Sequence, residues 1–111
     1  MRERMAEIRY NVEVSPAAYR DLEHQFLWLL DNRGRAHTDQ LDREVSACLN
    51  SLEYMPERWQ RLEPPRQHLR KAVIMHRYLL FFTVDNTERR VRVIAFRGAA
   101  EDWTNQPLPT D

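Results

Sequence analysis

Apolar and polar residues alternate over residues 8–14, near the start of the chain. This period of two is typical of a strand that buries one of its faces. Ser15 and Pro16 follow, and they combine a capping hydroxyl with a residue whose fixed φ suits the first helical turn. Because apolar side chains then recur at helical spacing, the pattern predicts a helix over residues 16–31.

A second helical stripe follows a polar break at residues 31–35. Thr38 or Asp39 can cap this helix, and Pro56 closes it. Its apolar residues are Leu41, Val45, Cys48, Leu49 and Leu52. The short break between the two stripes predicts an antiparallel helix hairpin. The side chains expected to form its core are Leu22, Phe26, Val45 and Leu49.

Three strand-like runs occupy residues 68–75, 78–84 and 91–97. The breaks between them are short, which is typical of a meander of antiparallel hairpins. The stretch before them, residues 57–67, is polar and contains adjacent prolines, so it is predicted to be a loop. The predicted order is β-α-α-β-β-β, an α+β fold in which a helix hairpin packs on a small antiparallel sheet.

The middle strand is apolar on both of its faces. Even-numbered positions of residues 78–84 form one apolar face, and Leu79 and Phe81 lie on the other. One face is expected to pack on the helices, and two alternatives remain for the other face. Either the loop at residues 57–67 or the C-terminal tail covers it, or the face stays open for a partner. If the face is open, Leu79 and Phe81 contact the partner.

The length of 111 residues suits a single domain. No apolar run approaches the roughly 20 residues that a membrane-spanning helix requires. The chain opens on charged residues with no apolar stretch of signal-peptide length behind them. We therefore expect a cytoplasmic location.

Few residues suit nucleotide, disulfide or metal chemistry. Gly34 and Gly98 are the only glycines, which excludes the glycine-rich loops that hold phosphates. Cys48 is the only cysteine, so neither an internal disulfide nor a multi-cysteine zinc site can form. The four histidines lack the spacing of metal ligands. We expect no metal and no cofactor.

Charge is balanced overall but unevenly distributed, with 17 basic and 17 acidic residues in the chain. Residues 56–98 hold ten basic and four acidic side chains, a surplus of 10 − 4 = 6 positive charges. Such a block creates a local positive field that favours an anionic partner, without the global charge of a general nucleic-acid binder.

Four segments together resemble the RelE/ParE superfamily of toxins from bacterial type II toxin–antitoxin modules. The segment YNVEVSPAA at residues 10–18 is similar to the first strand running into helix one, and LEYMP at 52–56 to the end of helix two. Residues 77–85 and 91–102 resemble the last two strands and the closing turn. The resemblance implies a toxin domain at residues 8–103, which leaves an N-terminal extension at 1–7. The tail at 104–111 is polar and contains Pro107 and Pro109, a composition that indicates disorder.

The resemblance implies two kinds of target. Members of the ParE branch bind and poison DNA gyrase, and this chain resembles them in its long helix hairpin and its few catalytic basic residues. RelE-like members are metal-independent endoribonucleases that cut messenger RNA on the ribosome. A homologue that has lost its activity is the third alternative. In every case the partner is a cognate antitoxin protein, for which Leu79 and Phe81 are the expected contacts.

The nuclease alternative requires a cluster of groups that bind phosphate and transfer protons. The candidate catalytic residues are His68, Arg70 and Arg97, and the candidate target-binding residues are Lys71, Arg77 and Trp103. The chain departs from the family pattern at Arg97, where many members carry histidine, and at Ala100, where they carry arginine. Because arginine is permanently protonated, it can hold a phosphate but makes a poor base. These departures favour gyrase poisoning.

Overall fold

A computed structural model describes residues 9–101 and 107–109. Its helices and strands are β1 (Asn11–Val14), α1 (Pro16–Arg33), α2 (Arg35–Leu52), β2 (Arg70–Ile74), β3 (Tyr78–Asp85) and β4 (Arg90–Gly98). One turn of 3-10 helix, Pro56–Arg58, follows α2. The predicted β-α-α-β-β-β order is confirmed. Neither α1 nor α2, the helices in the described part of the chain, has the length and apolar content that a membrane crossing requires.

The helix hairpin turns on a single residue, Gly34. Its φ of 89° lies in the left-handed region, which costs a residue without a Cβ little. The polar break predicted at residues 31–35 is therefore absorbed into the helices, and α2 begins at Arg35 rather than after Thr38 or Asp39. The Thr38 hydroxyl donates to the Gly34 carbonyl over 2.9 Å and so does not act as the N-cap.

The sheet is mixed rather than wholly antiparallel. Its strand order is β1-β4-β3-β2, with β3 antiparallel to both of its neighbours. The correction concerns β1, which runs parallel to β4 and pairs Val12 with Val91 and Val14 with Val93. Because the helix hairpin separates β1 from β2 in the chain, β1 is free to join the far edge of the meander.

An inner core fills the space between the helices and the sheet. Its buried residues are Ala18, Leu22, Leu29, Leu41, Val45, Leu52, Ala72, Ile74, Leu80, Phe82, Val91, Val93 and Phe96. Leu22 and Val45 are buried as predicted. Phe26 and Leu49 are only partly buried against this core. All four residues line an open groove of about 390 Å³ between the helices.

An outer core covers the opposite face of the sheet, where Leu79 is 5% exposed and Phe81 is fully buried. Leu62 from the loop and Leu69, the residue before β2, pack there with Ile94 and Ala95, and Leu108 packs against them. The loop is fixed to the edge of β2 because the Leu62 amide donates to the Leu69 carbonyl over 2.9 Å. Of the two sequence alternatives, coverage by the loop and tail is the one observed. The expected open face at Leu79 and Phe81 is absent.

The two cores predict different costs for two phenylalanine truncations. Phe82→Ala removes a fully buried ring from the inner core, and we expect it to lower the free energy of unfolding by about 3–5 kcal/mol. Phe26→Ala should cost clearly less, because that ring is only partly buried at the open groove. Urea denaturation followed by circular dichroism measures both changes. Equal costs would show that the groove is closed in solution.

Candidate functional site

The structure does not bring the three candidate catalytic residues together. His68 is exposed in the turn before β2. Arg70 lies opposite Phe82 in the sheet, whereas Arg97 lies opposite Leu79. Residues paired across two strands point to the same face, and successive residues of a strand alternate between faces. Because Phe82 and Leu79 are three positions apart in β3, their partners Arg70 and Arg97 point to opposite faces of the sheet. No convergent basic site forms from these side chains.

Arg70 is committed to holding the loop. Its Nη1 donates to the Trp59 carbonyl over 2.6 Å and to the Glu57 carbonyl over 3.2 Å. Its Nη2 also lies 3.8 Å from the Glu57 carboxylate. Since the side chain of Arg70 is only 13% exposed, we interpret it as a structural anchor for the loop that covers the outer core.

Arg97 is paired with a carboxylate from the first helix. Its Nη1 donates a short hydrogen bond to Oδ2 of Asp21. The same carboxylate oxygen accepts the backbone N–H of Phe96 over 2.9 Å. The pairing of β1 with β4 ends at Val93, so Asp21 satisfies an amide on the edge of β4 that no strand covers. One carboxylate thereby neutralises Arg97 and caps the sheet edge.

The candidate target-binding residues lie in different places. Lys71 is half-buried in β2, opposite Phe81. Arg77 is exposed in the turn between β2 and β3. Trp103 lies outside the described residues. Of the two that lie in the described part of the chain, Arg77 is the one that lines a cleft on the surface.

That surface is a cleft of about 880 Å³ between α1 and the turn that joins β2 to β3. Its lining residues are His24, Gln25, Trp28, His76, Arg77, Tyr78, Gly98, Ala99, Ala100 and Glu101. Trp28 is 56% exposed, which is unusual for a large aromatic side chain on a helix that has a core to reach. Tyr78 stacks on Phe96 with ring centroids 5.4 Å apart, and this contact fixes one wall.

The turn beside the cleft has an uncommon backbone. Met75 and His76 have φ values of 56° and 57°, and the Arg77 amide donates to the Ile74 carbonyl over 3.1 Å. Consecutive left-handed residues define the primed turn that asparagine and glycine normally form. Each of these two side chains costs about 1–2 kcal/mol in this conformation. The Arg77 carbonyl accepts the Ala99 amide over 2.7 Å, which ties the turn to the end of β4.

Reasoning from the sequence missed three residues of this region: Asp21, His24 and Trp28. Asp21 and His24 are ordinary polar positions on an amphipathic helix, and nothing in their spacing marks them. Trp28 carried a weak signal, because it lies outside the apolar stripe predicted for the first helix. A large aromatic residue on the polar side of a helix favours a contact site.

The fold is that of toxins from toxin–antitoxin systems. One similar solved structure is the chromosomal ParDE system from P. aeruginosa, with a TM-score of 0.67 and 9% identity, covering 80% of this chain and 95% of that one. Another is the RelBE2 toxin–antitoxin complex from Mycobacterium tuberculosis, with a TM-score of 0.61 and 18% identity, covering 86% and 97%. A conserved hypothetical protein from Helicobacter pylori matches with a TM-score of 0.50 and 15% identity, covering 82% and 96%.

The family follows from the sequence itself. The model of the ParE toxin of the type II toxin–antitoxin system parDE matches residues 12–103. The chain therefore belongs to the ParE toxin family, and the resemblance to the RelE/ParE superfamily is confirmed. No individual curated protein matches the chain.

The Asp21 carboxylate should stabilise the fold. Asp21→Asn keeps the shape but weakens the bonds to Arg97 and to the Phe96 amide, so we expect a loss of about 1–3 kcal/mol of unfolding free energy. Asp31→Asn, at an exposed position of the same helix, is the matched control and should change stability by less than about 0.5 kcal/mol. Urea titration measures both variants. Equal stabilities would show that the pair with Arg97 contributes nothing.

Proposed function

We propose that this toxin arrests growth by binding and inhibiting DNA gyrase, and that it does not cut RNA. The observation that carries the proposal is the pairing of Arg97 with Asp21. Arg97 is the best-placed phosphate ligand on the last strand, and a carboxylate already occupies its guanidinium. The match to the ParE toxin family also supports gyrase as the target.

RNA cleavage without a metal requires several basic groups around one phosphate, together with a group that accepts the attacking proton. Arg70 holds the loop, Arg97 holds Asp21, and the two residues start from opposite faces of the sheet. His68, the candidate base, lies in an exposed turn. The requirement for convergence is unmet among these residues.

Charge supports a protein target over RNA. The chain carries 17 basic and 17 acidic side chains, and affinity for nucleic acid depends chiefly on the number of phosphates that are neutralised. Of the basic residues considered above, Arg70 and Arg97 are paired internally. The remaining positive surface suits a small number of contacts to a protein, in the cytoplasm where gyrase acts.

The second partner is an antitoxin, which reaches Leu79 and Phe81 by displacing part of their cover. Displacing Leu108 costs little free energy, because this side chain packs against the outer core but is only partly buried. An extended arm with apolar side chains can take its place, and acidic side chains on that arm suit the surrounding arginines.

Two assays on the wild-type protein test the target. Purified toxin should inhibit supercoiling by purified gyrase and increase the amount of cleaved plasmid DNA. Added to translating ribosomes, the same preparation should leave messenger RNA intact. Arg97→Ala should not change the RNA result, because the wild type has no cleavage to lose.

The outcomes separate the alternatives. Cleavage of messenger RNA that Arg97→Ala reduces by about two orders of magnitude would overturn the proposal and establish the nuclease. Growth arrest with normal supercoiling would exclude gyrase as the target. Absence of arrest, of supercoiling inhibition and of RNA cleavage would identify a homologue without activity.

The antitoxin contact is tested with the product of the neighbouring gene. Leu108→Ala should bind it about fivefold more tightly than the wild type, because less apolar surface has to be displaced from the outer core. The control is Leu30→Ala, which changes an exposed leucine on α1 that is not part of the outer core, and it should bind as the wild type does. Calorimetry measures both. Unchanged affinity of Leu108→Ala would show that the arm binds elsewhere.

A further inference from the structure

We infer that the cleft between α1 and the β2–β3 turn is the surface with which this toxin recognises its target. The occupant is a protein segment that presents an acidic side chain beside an apolar one. The inference rests on the proposed function, because it identifies where on this chain the inhibited protein binds. It adds the site and the chemistry of the segment that fills it.

The cleft has the shape to receive a segment of a partner protein. The cleft measures about 880 Å³, enough for several side chains of a partner. One wall is a rigid helix that contributes His24 and Trp28, which are four residues apart and share a helix face. The facing wall contributes Arg77 and Tyr78. Small residues form the end of the cleft, so a partner chain can approach the backbone closely.

The charged groups of the cleft leave one cation for a ligand. Arg77 is the guanidinium among the lining residues, and Glu101 is the carboxylate. That carboxylate accepts the Gly98 amide over 2.9 Å and is therefore committed to the turn. A carboxylate on the partner can pair with Arg77, and the imidazole N–H groups of His24 and His76 can donate to it.

The exposed indole of Trp28 supplies the apolar contact. Tryptophan and arginine are the residues that most often dominate the energy of a protein interface, and Trp28 and Arg77 line the same cleft. Nucleic acid is the less suitable occupant, because Arg77 is the single permanently charged cation among the lining residues. The mixture of one aromatic anchor and few cations suits an acidic and apolar peptide.

The backbone of the turn beside the cleft is strained. Met75 and His76 keep a left-handed conformation that other residue types adopt more easily. Strain that persists at a surface turn favours a function for the side chains it positions. Here the turn sets His76 and Arg77 at the edge of the cleft, and the bond from Ala99 to the Arg77 carbonyl holds them there.

Matched substitutions test the site. Trp28→Ala should weaken binding of the full chain to gyrase by about thirtyfold, and Arg77→Ala by about tenfold. Leu27→Ala is the control for Trp28, since the two residues are 55% and 56% exposed but line different cavities. Arg43→Ala, an exposed arginine on α2, is the control for Arg77. Both controls should bind within twofold of the wild type.

A variant of the turn tests whether its strained backbone serves binding. His76→Gly supplies the residue that the second central position of this turn normally contains, and it keeps Met75, which packs against the inner core. We expect a higher melting temperature together with affinity for gyrase reduced about fivefold, because the His76 side chain is gone. A stabilised variant that binds as the wild type does would remove strain as support and would exclude His76 from the site.

Growth arrest in cells is a second measurement, and it tests the cleft without assuming that gyrase is the target. Trp28→Ala and Arg77→Ala should abolish arrest on expression, while the two controls retain it, and melting temperatures establish that all four variants are folded. If the wild type does not bind gyrase but the cleft variants still lose arrest, the proposed target fails and the recognition site stands. If folded Trp28→Ala arrests growth as the wild type does, or if Leu27→Ala alone loses activity, the inference is overturned.

Discussion

The central strand β3 buries apolar side chains on both of its faces, and the other elements are arranged to cover them. Leu80 and Phe82 enter the inner core beneath the helices, while Leu79 and Phe81 enter the outer core. A strand with this composition is unstable at a sheet edge or with one face in water. The helix hairpin on one side and the long polar loop on the other follow from that requirement.

Much of the fold follows from local patterns in the sequence. Period-two alternation marked β1, and the Ser15–Pro16 pair marked the start of α1, because both signals depend on adjacent residues. The parallel pairing of β1 with β4 was not predictable in this way, since β1 carries no local signal for the direction of its partner. The start of α2 at Arg35 was also missed, because one glycine proved sufficient for the turn.

The candidate site was harder to predict, because its residues come from separate parts of the chain. Asp21 and Arg97 are separated by 76 positions, and hydrophobic periodicity carries no information about polar pairs at such distances. Arg77 was identified from its charge, but its neighbours across the cleft were not. The left-handed turn at Met75 and His76 also escaped notice, because neither residue type indicates that conformation.

The bond between Asp21 and Arg97 constrains how this chain can diverge. A descendant that loses the carboxylate at position 21 removes the acidic partner of the Arg97 guanidinium at the end of β4. The same change exposes the Phe96 amide on an unprotected sheet edge. Loss of Asp21 therefore comes with a loss of stability, and positions 21 and 97 are expected to evolve as a pair.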